Sequence, residues 1–384
     1  MTTIDPGDAG ALARTLVAID SRNPTLVPGG PGELECARAL EGILTEWGFR
    51  VEVFDAAPGR PNVLARIGRA EFGRTVMFNG HLDVVGVDGM THAPFDAAVQ
   101  DGRLYGRGAA DMKGGVAAMC AAAWRAAQNG LNGEIMVAAV ADEEYESIGT
   151  RALLARGVRA DAAVVTEPTK LGIMPAHRGF VWIEVEVTGR AAHGSRYELG
   201  VDAIRHAGLL LAELHGFDAD VLPRQTHPLL GRASIHASFI EGGTGMSTYP
   251  DRCVIKLERR TLPGEQPSTV LAQIEEVCKA VKRVHPTFVA SSQLLLAQAP
   301  SDVAVDAPVV RALDAALTSL GLPVAIEGMS AWTDAALLNA AGIPAVCFGP
   351  GDISLAHAAE EYIPLDEIAR ATDVLAALAL GWCR

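Results

Sequence analysis

The chain predicts an α/β domain interrupted by an inserted α+β domain of ferredoxin-like order. Three observations carry this. Helical and strand patterns alternate through the first 177 residues, strict period-two strands take over after residue 178, and the first pattern resumes near Pro300. Apolar runs between helices imply a sheet with much parallel pairing, whereas alternation implies strands with one covered face. We therefore expect residues 1–177 and 297–384 to form one domain and 178–296 the insert.

The elements follow in order. Gly10–Ile19 and Gly32–Gly48 read as amphipathic helices, and Arg74–Asn79 as a buried strand running into His81. Lys113–Gln128 is an Ala-rich helix that Asn129-Gly130 stops as a C-terminal cap pair. Glu134–Ala141 is a second buried strand, followed at once by Asp142-Glu143-Glu144, and the apolar run Ala162–Thr166 leads into Glu167. Val181–Val187 then alternates in period two. A helix over Val201–His215, strands over Ala233–Ile240 and Arg252–Leu257, a helix over Ser268–Arg283 and a strand over Thr287–Leu296 complete a β-α-β-β-α-β unit. The α/β pattern returns with a helix over Ala307–Leu320, a strand over Pro344–Phe348 and a final helix over Leu365–Ala379.

Composition bounds the function. With 384 residues and 49% hydrophobic content the chain can fill two cores, which excludes a disordered protein. A net charge of −14 without any Lys/Arg stripe excludes a nucleic-acid surface. No segment reaches the ~18 uninterrupted apolar residues of a membrane span. The segment Met1–Gly7 lacks both a basic and an apolar leader pattern, so a cytoplasmic location is expected. Six scattered cysteines form no C-x-x-C pair and read as free thiols, most of them buried.

The chemistry sits at strand ends. Gly80-His81-Leu82-Asp83, Gly106-Arg107-Gly108-Ala109-Ala110-Asp111 and Ala141-Asp142-Glu143-Glu144 each deliver imidazole or carboxylate groups beside an apolar stretch. Glu167 and His357 extend the set. The C-terminal ends of parallel strands are where α/β sheets open their binding crevices. His81 and Asp83 are two apart and point to the same side of an extended strand, so one can ligate while the other braces it. Asp111, at the end of a Gly-rich turn and the expected start of a helix, has two oxygens free to bridge two ions. Glu143 and Glu144 diverge, one to ligate and one to stay free as a base. Carboxylates this numerous beside buried strands would be costly without a cation. The pattern is that of a two-metal hydrolytic centre.

These motifs, at this spacing, resemble the M20 metallopeptidase and aminoacylase family, and the resemblance spans essentially the whole chain. The family includes acetylornithine deacetylases, succinyl-diaminopimelate desuccinylases, aminoacylases and glutamate carboxypeptidases. The resemblance implies a zinc-dependent exopeptidase-like catalytic domain with an inserted lid and dimerisation domain, hence a homodimer through the lid. It implies that His81 and Glu167 bind one metal, Glu144 and His357 the other, and that Asp111 bridges both. Glu143 would be the general base, and Asp83 would orient His81. On the insert, His193 of Gly189–Ser195 resembles the histidine that steadies the oxyanion in the partner subunit's site. Arg260 of Arg259–Gly264 resembles the arginine that clamps the substrate carboxylate, a task suited to its planar fork. Ser247, in Glu241–Pro250, stands at a substrate-binding position where many members carry Asn.

The expected activity is metal-dependent removal of an N-acyl group from an N-acyl amino acid, with two divalent ions, Zn²⁺ by default and Co²⁺ or Mn²⁺ as other occupants. A dipeptidase or carboxypeptidase with the same centre is the alternative. A non-catalytic metal-binding protein would lack a ligand or the base, and here both are present.

Overall fold

The computed structural model describes residues 4–384. The chain folds as two units: one runs up to Pro175 and includes Val303–Glu327 and Thr333–Arg384, the other comprises Ala176–Asp302 and Gly328–Trp332.

The first unit is built on a mixed sheet. Its strands lie in the order Arg50–Ala57, Arg60–Gly68, Glu134–Val140, Thr75–His81, Ala162–Val165, Ala345–Cys347 and Ile173–His177. The three central pairings, from Glu134–Val140 across to Ala345–Cys347, are parallel. The outer ones are antiparallel. Glu134–Val140 and Ala162–Val165 are buried at every position, which is why they read as continuous apolar runs rather than as alternation. Helices Ala9–Val17, Gly114–Gln128 and Leu365–Trp382 pack on one another, and Leu34–Glu46 and Ile148–Ala155 pack against the outer strands. Small side chains let Gly114–Gln128 lie close to the sheet. At Gly115 an added Cβ would stand 2.0 Å from the Thr166 carbonyl oxygen, so only glycine fits there.

Two features depart from expectation. The strands Arg50–Ala57 and Arg60–Gly68 and the helix Ile148–Ala155 had no clear signal. The first strand is an edge strand without a buried residue, and the second carries Arg, Pro and Asn among its apolar positions. Asp111, expected to open a helix, does not. Its backbone (φ −121°, ψ 96°) and that of Met112 (φ −132°, ψ 34°) are non-helical, the peptide bond between them is cis, and the regular helix begins at Gly114. At this turn the backbone N–H groups of Ala110 and Asp111 donate to the Glu361 carboxylate, at 3.0 and 3.2 Å.

The second unit has the β-α-β-β-α-β order. Strands Ser234–Gly242, Arg252–Thr261, Gly179–Thr188 and Val289–Gln298 form, in that order, a four-stranded antiparallel sheet. Val181, Ile183, Val185 and Val187 pack with Ile255 and Leu257 against Leu210 and Leu214 of helix Ala203–Gly216 and Ile274 and Val277 of helix Pro267–Val284. The intervening residues, Trp182, Glu184 and Glu186, therefore occupy the other face. Asp202 caps the first helix by accepting from the Arg205 N–H, and Pro267 opens the second. All six cysteines are free. Among the described residues no helix is long and apolar enough to cross a membrane.

Candidate metal centre

Three adjacent parallel strands end at one crevice. His81 closes Thr75–His81, Asp142-Glu143-Glu144 follows Glu134–Val140, and Glu167 follows Ala162–Val165. Asp111 enters from the turn before Gly114–Gln128, and His357 from the loop after Ala345–Cys347.

Asp111 lies between the two imidazoles. Its Oδ1 is 3.2 Å from His81 Nε2 and its Oδ2 is 3.5 Å from His357 Nε2. The Glu144 carboxylate lies 3.0 Å from His357 Nε2, and Glu143 Oε2 lies 3.9 Å from His81 Nε2. The ligand atoms of His81, Asp111 and Glu144 fall within 4.8 Å of one another, as do those of His81, Glu143 and Glu167. Glu167 Oε1 is buried with no hydrogen-bond partner among the described residues, a costly state for a carboxylate oxygen unless a cation takes it up. This oxygen-rich, two-imidazole set with an unsatisfied carboxylate fits divalent metal ions.

The electrostatics agree. Burial, and then the neighbouring Glu167, raises the proton affinity of Glu143 well above the ordinary carboxylate range. Burial followed by Asp111 does the same to Glu167 and, less strongly, to Glu144. Burial opposes the charged form of Asp111, yet hydrogen bonds from His357 and His81 hold its carboxyl below the usual range. Both imidazoles go the other way: burial would lower them, but contacts with Asp111 and the glutamates raise His81 well above its usual value and His357 to about 10. The shifts share one cause: buried carboxylates are crowded together, and such a cluster attracts positive charge.

Asp83 lies against His81, as expected, and has further partners besides. His81 Nδ1 meets the backbone carbonyl of Asp83 at 2.9 Å, while the Asp83 carboxylate stands 3.7 Å away. That carboxylate accepts from the backbone N–H of Glu143 (3.1 Å) and of Glu144 (3.3 Å), and from Asn23 Nδ2 at 2.8 Å. Asp83 therefore fixes the turn that carries both glutamates.

Sequence reasoning missed the residues beneath this turn. Asn23 Nδ2 also donates to Asp142 Oδ1 at 2.9 Å. Arg60 makes two 2.6 Å hydrogen bonds to Glu33 and a 3.1 Å contact to Asp142, all three side chains being buried. Together they hold Asp142 at φ +66°, a left-handed turn that side chains rarely adopt. On the opposite flank Arg107 Nη1 donates to Glu361 Oε2 at 2.6 Å, and Glu361 Oε1 receives the Asp111 amide. Glu361 thereby ties the Asp111 turn to the segment that follows His357. Arg107 was visible in its glycine-rich motif. Glu33, Arg60 and Glu361 are single charges in segments without a pattern, and nothing in one sequence marks them as buried.

The three residues expected on the insert lie in the second unit. Gly194 N–H donates to the Ser247 carbonyl at 2.7 Å, and His193 pairs with Thr248, so the segments carrying His193 and Ser247 meet. Both residues are exposed, and His193 Nδ1 lies 2.8 Å from Ser195 Oγ. Arg260 lies on strand Arg252–Thr261, its neighbour Arg259 pointing the other way into a buried bond with Glu265 at 2.6 Å.

Comparisons with known proteins add to this geometry. The family model described as peptidase family M20/M25/M40 matches residues 77–381. The chain is 33% identical over 333 residues to an acetylornithine deacetylase from Myxococcus xanthus, covering 86% of each chain. It is 27% identical to an N-formyl-4-amino-5-aminomethyl-2-methylpyrimidine deformylase from Bacillus subtilis, covering 97% of this chain and 94% of the relative. The fold is similar to that of the Bacillus subtilis YXEP protein, a dinuclear metal-binding peptidase of the M20 family, with TM-score 0.73, 19% identity and coverage of 97% and 96%.

Proposed function

Because the chain belongs to peptidase family M20/M25/M40, we propose that it is a metal-dependent amide hydrolase that removes an N-acyl group from an N-acyl amino acid. The observation that carries the reading is Asp111, with one oxygen facing each imidazole and Glu144, Glu143 and the unpartnered Glu167 around it. In this reading His81 and Glu167 would hold one divalent ion, Glu144 and His357 would hold the other, and Asp111 would serve both. Zn²⁺ is the default occupant, and Co²⁺ or Mn²⁺ suit the same donors. Bound there, the ions polarise the scissile carbonyl and acidify a water.

The chain's own groups do the rest. Glu143 takes the proton from the attacking water and returns it to the leaving amine. Its place beside His81 and Glu167, within reach of both, suits it to that role. Asp83 keeps the Glu143–Glu144 turn in register through the two amides. His193 steadies the oxyanion, Arg260 takes the substrate carboxylate, and Ser247, beside the His193 segment, lines the substrate position. We further propose that residues 178–296 act as the lid and the dimer interface, and that the enzyme works in the cytoplasm, where six free thiols stay reduced.

The relatives' names specify acetyl, formyl and succinyl groups, which supports a deacylase and sets the acyl groups to compare. The test is hydrolysis of N-formyl, N-acetyl and N-succinyl amino acids and of dipeptides, with and without added Zn²⁺ or Co²⁺. Metal-dependent release of free amino acid from the acylated substrates is expected. Preference for dipeptides would instead establish a peptidase, and no turnover by metal-loaded protein would contradict the reading.

A further inference from the structure

On the second unit's sheet, the strands Gly179–Thr188 and Arg252–Thr261 pair so that Phe180 lies opposite Arg260 and Trp182 opposite Glu258. Directly paired residues share a face, and residues two apart on each strand do too. The four side chains therefore cluster on the face away from the helices, since Val181, Ile183 and Leu257 fill the helix-covered core. Their contacts form a chain. Trp182 Nε1 donates to Glu258 Oε2 at 2.9 Å, Glu258 Oε1 accepts from Arg260 Nε at 2.6 Å, and the Arg260 guanidinium lies 5.5 Å from the Phe180 ring centre. Phe180 in turn packs on Trp182, ring centres 5.1 Å apart, and edge-on to Trp332 at 6.3 Å.

This arrangement holds the inner nitrogen and one face of the guanidinium and leaves its outer edge open. Neither terminal nitrogen of Arg260 is hydrogen-bonded to another described residue, and its side chain keeps 31% exposure, while Phe180 and Trp332 beneath it are buried. Arginine otherwise loses considerable rotamer freedom on binding an anion; a guanidinium already fixed by a ring and a carboxylate loses little. Glu258 lowers the local positive charge, but its own second oxygen is taken by Trp182, so it cannot swing round to occupy the terminal nitrogens. Arg178 adds a second cation nearby; burial, and then repulsion from Arg260, lower its proton affinity.

We propose that Glu258, Trp182 and Phe180 are positioning residues that pre-set Arg260 as a bidentate clamp, and that they thereby commit the enzyme to substrates with a free α-carboxylate. The proposal rests on Arg260 taking the substrate carboxylate. Neither Glu258 nor the rings touch the reacting atoms. They act through Arg260, so they should govern substrate capture and selection and leave the chemical step nearly untouched.

The test compares the best N-acyl amino acid of the substrate panel with its carboxamide, in wild type, Arg260→Met, Glu258→Gln, Trp182→Phe and Phe180→Leu. Trp182→Phe keeps an aromatic ring beside Phe180 while removing the N–H that locks Glu258, so it is the mildest of the packing changes and guards against a folding defect in the others. Urea unfolding of each variant accompanies the kinetics. The expected result is a KM for the acid raised about tenfold in Glu258→Gln and less in Trp182→Phe, with kcat nearly constant and the carboxamide KM unchanged. The preference for acid over carboxamide then shrinks in step. If Arg260→Met loses that preference while Glu258→Gln, Trp182→Phe and Phe180→Leu all keep it, the clamp stands and the positioning role is overturned. If Arg260→Met itself keeps the preference, the clamp reading fails, and the positioning role with it.

Discussion

At the scale of single residues, the centre depends on which carboxylates ligate and which stays free. Glu143 and Glu144 are chain neighbours, yet Glu144 meets His357 at 3.0 Å while Glu143 turns toward His81 and Glu167. If Glu143 is the base, Glu143→Gln keeps the shape and the metal but cuts turnover by ~10²–10⁴. Near-normal turnover with metal bound would assign the base elsewhere. As candidates, His81, Asp111, Glu143, Glu144 and Glu167 were legible because each sits beside an apolar stretch, whereas His357 lies in a loop without such a mark. The amide contacts of Asp83 were not legible: its spacing from His81 suggested a bond to the ring, and its other partners are amides 60 residues away. His177 gives a residue-scale prediction for pH. Buried, with Nδ1 placed to donate to the Arg178 carbonyl at 3.0 Å, it titrates at about 4, burial being the main cause. The unfolded chain binds that proton near the usual value, so the stability His177 contributes is complete above about pH 6.5 and is lost as pH falls through 4. Between about pH 7.5 and pH 5, urea unfolding should lose about 2 kcal/mol more in wild type than in His177→Gln. Equal losses would mean that the ring is solvated or charged in the folded state.

At the scale of elements, the strands deliver the ligands and the turns aim them. The Glu143–Glu144 turn hangs on the two amides bound by Asp83, with Asn23 and the Arg60–Glu33–Asp142 group beneath. Asp83→Asn puts a donor where two donors already point. Metal affinity of the metal-free protein, read by calorimetric titration, should fall ~10–100-fold, the usual cost of disturbing groups that support ligands. An unchanged affinity would show that the turn holds its shape without Asp83. Gly115→Ala tests the close approach of helix Gly114–Gln128 to the strand end before Glu167. Its Cβ would meet the Thr166 carbonyl, and urea unfolding should show a loss of about 1–3 kcal/mol. A loss under about 0.5 kcal/mol would mean that the helix shifts freely. The Ala-rich helix, its Asn129-Gly130 stop and the buried strands were readable because each is locally consistent. The pair Arg50–Ala57 and Arg60–Gly68 was not, since its strand character comes from pairing at the sheet edge. Nor was the irregular backbone at Asp111, whose amide is bonded to Glu361, 250 residues along the chain.

At the scale of the whole molecule, two folding patterns share one chain, one with a largely parallel central sheet and one with a four-stranded antiparallel sheet, and the strand period changes between them near residue 178. The first unit carries a centre crowded with buried carboxylates, a group of side chains that could hold divalent ions. Metal held at ~1,000 times its Kd stabilises the folded state by about 4 kcal/mol, so chelation should lower Tm and restored Zn²⁺ should raise it again. A Tm indifferent to chelator would mean that the cluster is satisfied by protons alone. The central claim is that these carboxylates and imidazoles hold two ions for a free glutamate to work beside. It is tested most directly by measuring metal stoichiometry and turnover together in wild type and Glu143→Gln. The account predicts two ions per chain in both proteins, with turnover of the acylated substrate only in wild type. Metal lost along with activity in Glu143→Gln, or fewer than two ions in active wild type, would contradict it.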